Sequence, residues 1–205
     1  MKTIKEIYTS TIIIQKSEFI CHIFPVNTVE EANTHLANIR KKYYDATHNC
    51  YGYIIGNNGE IAKYSDDGEP SQTAGVVIYD VLKKNDLTNV LAITTRYFGG
   101  IKLGAGGLIR AYSSSVSECL KNAVFLTTKE LEIYKITISY SDYSKNVDFW
   151  NNQMIKNQSF MSDVILEIAF FEEDAHETLE KIKNLTLGKA LISFLQKELI
   201  DVRCD

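Results

Sequence analysis

The sequence predicts an α+β protein of two domains, residues 1–125 and 131–205, and three observations carry that prediction. Strand-like and helix-like hydrophobic periods succeed one another along the chain, so neither period dominates. The 205 residues suffice for two small cores. Charge is uneven: residues 1–130 carry 14 Lys and Arg against 13 Asp and Glu, whereas residues 131–205 carry 8 against 13. The acidity belongs to the C-terminal third, and a break over Asn122–Glu130 divides the two parts.

Thr11–Gln15 and Glu18–Val26 are β-rich and flank Lys16-Ser17, the pattern of a hairpin. A helix comes next, capped by Asn27 or Thr28 and running to about Tyr43. Thr28 and Glu31 have capping-box spacing, and Val29, Ala32, Leu36 and Ile39 form its apolar stripe. Tyr51–Gly56 and Glu60–Tyr64 read as strands about the turn Asn57-Asn58-Gly59. Ser71–Lys84 suits a helix with Pro70 at its entry, Asn89–Thr95 a buried strand, and Leu103–Ala123 a second long helix. Beyond the break come a strand at Ile133–Tyr140, a helix at Tyr143–Asn157 and a strand at Asp163–Phe171 with Phe160–Ser162 as a short partner. A helix at Asp174–Leu185 and a last strand at Ile200–Arg203 complete the chain. This order is that of a split βαβ, ferredoxin-like module.

Composition narrows the function classes. The longest apolar runs are a few residues, whereas a spanning helix needs about 20, so no membrane association is expected. The N-terminus lacks a signal-peptide apolar core, and the cytoplasm is the expected location. Cys21, Cys50, Cys119 and Cys204 form no CxxC pair and fit no zinc spacing; they read as reduced thiols. Bulk charge does not advertise nucleic-acid binding, which would need a local basic patch on the first domain.

Two segments carry candidate chemistry. In Tyr64–Gly75, the residues Asp66, Asp67 and Glu69 lie close to a helix entry, with Ser71 and Thr73 beside them. They serve either as turn and capping groups or as ligands for a cation, a substrate amine or a hydroxyl; octahedral Mg²⁺ would want about 6 oxygens, and no EF-hand spacing is present. In Thr94–Tyr112, five of the eleven glycines fall within nine residues: Gly99, Gly100, Gly104, Gly106 and Gly107. Glycine inside a helix costs about 1 kcal/mol relative to alanine, so either tight packing or exposed N–H groups at the helix start should offset it. Exposed N–H groups make an anion site, to which Arg96, Lys102 and Arg110 would add donors. The segment is neither a Walker A loop nor a dinucleotide fingerprint. His48 and Cys50 share one face of a strand, which allows a thiol–imidazole pair, though His48 as a hydrogen-bonding site edge is the simpler reading.

Ala46-Thr47-His48-Asn49-Cys50-Tyr51, Asp66-Asp67-Gly68-Glu69-Pro70-Ser71, Thr73-Ala74-Gly75, Thr95–Leu108 and Arg110-Ala111-Tyr112, taken in this order, resemble the IMPACT family in its bacterial YigZ-like form. The resemblance covers about residues 1–125 and extends more loosely beyond. It implies a first domain like the second domain of ribosomal protein S5 and a ferredoxin-like second domain. Eukaryotic relatives regulate translation through an added RWD domain; this chain starts directly at the family domain, so no RWD-dependent partner is expected. The family usually has glycine where this chain has Gln72.

Two functions are expected on these grounds. One is a non-enzymatic regulator associated with translation, binding RNA or the ribosome through phosphate contacts at the basic, glycine-rich surface. The other is a metal-assisted enzyme acting on a small phosphorylated or anionic substrate. No catalytic residue is named, no metal site is assigned, and no cofactor is implied.

Overall fold

In a computed structural model, which describes residues 1–204, the chain divides into two compact units. Met1–Thr127 and the chain end from Arg203 form the first; Thr128–Val202 form the second.

The first unit is built on the antiparallel sheet β2-β3-β6-β4-β5, comprising Tyr8–Ile14, Ser17–Pro25, Val90–Tyr97, His48–Ile55 and Ile61–Ser65. A short strand, β1 (Thr3–Ile4), lies outside it. Alternation along β6 dictates two cores. Val90 and Ala92 face helices α2 (Gly75–Lys84) and α3 (Gly104–Leu120), while Leu91 and Ile93 face α1 (Val29–Lys42). β4 alternates likewise: Cys50 and Ile54 lie on the α2/α3 side, and Tyr51, Tyr53 and Ile55 on the α1 side. Gly52 lets α2 approach, since a Cβ there would meet the Tyr79 backbone nitrogen at 3.0 Å.

The start of α1 matches its capping pattern. The Glu31 N–H donates to Thr28 Oγ1 at 3.1 Å, and Glu31 Oε2 reaches back to the Asn27 N–H at 2.7 Å. Helix α2 starts later than expected, at Gly75 rather than Ser71, and Pro70 is not its first residue. Residues 71–74 instead turn over the Asp66 carboxylate, which accepts the N–H groups of Gln72, Ala74 and Gly75.

The second unit runs β7 (Phe125–Ile138), α4 (Tyr140–Lys145), α5 (Val147–Asn151), β8 (Met154–Phe160), β9 (Val164–Phe171), α6 (Glu172–Leu185) and β10 (Leu191–Arg203). Its strands lie in the order β10-β7-β9-β8. Trp150, Leu166, Ile168 and Ile182 are fully buried in its core. Three expectations are corrected here. The break over Asn122–Glu130 is mostly strand, because Phe125 and Leu126 pair with β1 and the strand continues through Thr127. The single helix over Tyr143–Asn157 is two short helices and then strand β8, which the antiparallel ladder to β9 holds extended despite a bulge between Ile155 and Asn157. The last strand begins at Leu191, nine residues before the expected start at Ile200.

His22 gives the first unit a pH dependence. It is 5 % exposed on β3, with Nδ1 2.8 Å from Thr9 Oγ1 and Nε2 3.0 Å from Tyr43 Oη. Burial, helped by the charge of Lys42, lowers its pKa from 6.5 to about 4. Between those values the unfolded chain holds a proton that the folded chain does not, so stability falls as the pH drops from 6.5 towards 4. Thermal melting across that range should show this loss, and His22→Gln should flatten the slope; an unchanged slope would assign it to other groups.

Candidate functional site

One row of residues across three strands sets the site. Arg96 on β6 pairs in register with Phe19 on β3 and with His48 on β4, so all three side chains emerge on the sheet face that carries α2 and α3. Arg96 is only 5 % exposed. Its Nη1 donates to Glu69 Oε1 at 2.6 Å and its Nη2 to Ser17 Oγ at 3.4 Å, while its Nε–H has no acceptor among the described residues. The guanidinium carbon lies 5.4 Å from the Phe19 ring centre and 5.5 Å from that of Phe98.

Glu69 is the other half of this buried pair. Tyr112 of α3 donates to the same Oε1 at 2.8 Å, and His48 Nε2 stands 3.8 Å from Oε2. The Tyr112 hydroxyl in turn accepts from the Cys50 thiol at 3.3 Å. Burial first, with the neighbouring carboxylates, pushes the Cys50 thiol well above its usual range and Tyr112 with it, so both stay protonated. Cys50 is therefore a hydrogen-bond donor rather than a nucleophile. The ring of His48 donates from Nδ1 to the Asp67 carbonyl at 2.8 Å, which leaves Nε2 turned towards Glu69.

Of these residues, His48, Glu69, Arg96 and Phe98 line a cleft of about 460 Å³. Its wall comprises Thr47, His48, Glu69, Pro70, Arg96, Phe98, Lys102, Leu103, Gly104, Ala105 and Leu108. The structure thus brings Arg96, Lys102, Gly104, His48 and Glu69 together. The remaining sequence candidates lie outside the lining. Asp66 caps α2. Asp67 receives Arg40 Nη2 at 2.7 Å and the Asn49 N–H at 2.8 Å. Ser71 is exposed, and Thr73 is buried with its hydroxyl on the Pro70 carbonyl at 2.6 Å. Arg110 is exposed, folded back over the position of Gly106.

The glycines separate by role. A Cβ on Gly99 would collide with the Lys16 backbone, so this glycine seals the loop against the β2–β3 hairpin. Gly107 packs under Leu103, and Gly100 has a φ of +82° in open space. Gly104 begins α3 with a φ of +68°, a value that disfavours any side chain. Among the described residues no side chain caps α3, and no acidic residue occupies its first turn, so its free N–H groups and dipole face the cleft at Gly104 and Ala105. Gln72, where the resemblance implies glycine, has a φ of +64° and is exposed. A backbone of that φ favours glycine, and the Gln72 side chain does not line the cleft.

The family model of the Impact N-terminal domain matches residues 15–120. The chain belongs to the IMPACT family. This IMPACT-family chain is 43 % identical over 190 residues to family member YvyE of Bacillus subtilis, covering 92 % of this chain and 88 % of that one. It is 28 % identical over 180 residues to YigZ of Escherichia coli, covering 85 % and 88 %. A solved structure described as a hypothetical protein superposes with a TM-score of 0.60 at 26 % identity, covering 95 % of this chain and 97 % of that one. The Impact-domain match contains every residue lining the cleft.

Sequence reading singled out His48, Glu69, Arg96, Lys102 and Gly104 but left out Phe98, Leu103, Leu108, Tyr112 and Ser17. Tyr112 stood in the motif Arg110-Ala111-Tyr112 with no role assigned to it and Ser17 offered no signal, because both roles depend on which strand and helix pack together. Removing the cation tests how far the IMPACT cleft rests on its buried pair. Arg96→Met strands Glu69 as a buried carboxylate and should cost about 3–5 kcal/mol in urea unfolding. Adding Glu69→Gln should recover a large part of that loss; a cost below about 1 kcal/mol would show Glu69 to be well solvated.

Proposed function

We propose that this IMPACT-family chain is a non-enzymatic regulator associated with translation and that its first unit contacts RNA phosphates at the cleft. The observation that carries the RNA half is the uncapped, glycine-rich start of α3 opening into the cleft beside Lys102, which has no protein partner among the described residues. Such a helix end supplies backbone donors and a positive dipole to an oxyanion. Lys102 and the exposed Arg110 supply the long-range charge; Arg96, already paired to Glu69, contributes less than an exposed arginine would. The resemblance to a family whose eukaryotic members regulate translation supports the other half. It also supports reading the first unit as S5 second-domain-like. The β-α-β-β-α-β order and the strand order β10-β7-β9-β8 support a ferredoxin-like second unit.

The cleft volume favours one second reading, a small anionic molecule, since about 460 Å³ suits a single compact ligand. Metal assistance fits this reading poorly. Asp66 and Asp67 spend their oxygens on backbone N–H groups and Arg40, and Glu69 Oε1 on Arg96 and Tyr112.

Fluorescence anisotropy with a short single-stranded RNA tests the proposal. Affinity should fall as salt rises, and Lys102→Ala and Arg110→Ala should each reduce the log–log slope by about 0.7. No binding at about 50 mM salt, or binding indifferent to salt, would remove the electrostatic contact the proposal requires.

A further inference from the structure

From the polar and apolar parts of the cleft, we infer that it takes a nucleotide whole, with the phosphate at the start of α3 and the base against Phe98. This inference rests on the phosphate contact of the proposed function and adds the base attached to that phosphate. One part of the cleft is built for an oxyanion: the uncapped first turn of α3 at Gly104 and Ala105, with Lys102 next to it. A buried cation lines the same cleft. Arg96 lines the cleft, is more than nine-tenths buried, and keeps an Nε–H that no described residue accepts.

The remainder of the cleft is unlike a simple phosphate site. Phe98 lines it while remaining 48 % exposed, and Pro70, Leu103 and Leu108 add apolar wall. An inorganic anion gains nothing from that wall, whereas the flat apolar face of a base does. Phe98 is also held in place. Its N–H donates to Thr47 Oγ1 at 3.3 Å, and the next residue, Gly99, is pressed against the Lys16 backbone and donates its N–H to Ser17 Oγ at 3.2 Å. The ring's contact with the Arg96 guanidinium ties the aromatic part of the cleft to its cationic part. Along the base edge, Glu69 Oε2 accepts no hydrogen bond from the described residues, and His48 Nε2 lies beside it. Both can face the exocyclic groups of a base. A base in this cleft has left any duplex, so the ligand is a free nucleotide or an unpaired one within a strand.

Calorimetric titration of the full chain with AMP and with ribose 5-phosphate isolates the base. AMP should bind on the order of tenfold tighter than ribose 5-phosphate. Phe98→Leu should abolish that preference by weakening AMP far more than ribose 5-phosphate, and Phe98→Trp should preserve it. Thermal melting identifies any variant that fails to fold; Phe98→Trp then decides. Equal binding of the two probes, no AMP binding at millimolar concentration, or a preference that survives Phe98→Leu would overturn the inference. The RNA reading fails separately: if AMP keeps its Phe98-dependent preference but oligonucleotides do not bind, the cleft is a nucleotide site and not an RNA contact.

Discussion

Glu69 is a carboxylate that the fold keeps at 3 % side-chain exposure by bringing donors to it from separate elements, Arg96 from β6 and Tyr112 from α3, with the His48 ring of β4 standing 3.8 Å away. Burying a carboxylate costs several kcal/mol unless a cation and good hydrogen bonds replace its water. Each donor therefore constrains its element. Arg96 must leave the sheet on the α2/α3 face, α3 must present Tyr112 to the same point, and the loop ahead of α2 must carry Glu69 inward. The cleft is the space left beside this arrangement, so its shape is set by the same pair that lines it.

The acidic loop shows how close a structural role lies to a binding one. Three carboxylates within four residues could ligate a cation, and the same three could satisfy the chain's own donors. In the folded protein the second outcome prevails for Asp66, because the first N–H groups of α2 have no intrahelical partner and the loop delivers its carboxylate to them. Asp67 does the same for the Asn49 N–H and the Arg40 guanidinium. Helix α3 is the opposite case. Helix α2 has its start satisfied internally, while α3, with leucine at the cap position, leaves its start to whatever enters the cleft.

Much of the first unit was legible in the chain. Periodicity located α1, the strand at Val90 and the long helix at Gly104, because each buries a stripe or an alternating face. Glycine density marked the loop before α3, since so many glycines require either close backbone approach or unusual φ, and Gly99 and Gly104 have one each. The boundaries that failed did so for tertiary reasons. The strand through Phe125 exists because β1 lies beside it, and the start of α2 moved because a side chain nine residues earlier competes for its N–H groups.

The amino-acid sequence alone determined the family motifs, the capping of α1, and a glycine-bearing loop with cations around it, because these depend on neighbours within a few residues. Only the tertiary structure decided which charges stay exposed. Arg96 and Arg110 are equal in the sequence as cations beside that loop. Strand register places the first beside Phe19 and against Glu69, while the helical turn places the second at the surface. Whether a charge is a buried tie or a free contact depends on the dielectric and the partners that folding puts around it, and those partners come from residues 27 and 43 positions away in the chain, Glu69 to Arg96 and Glu69 to Tyr112.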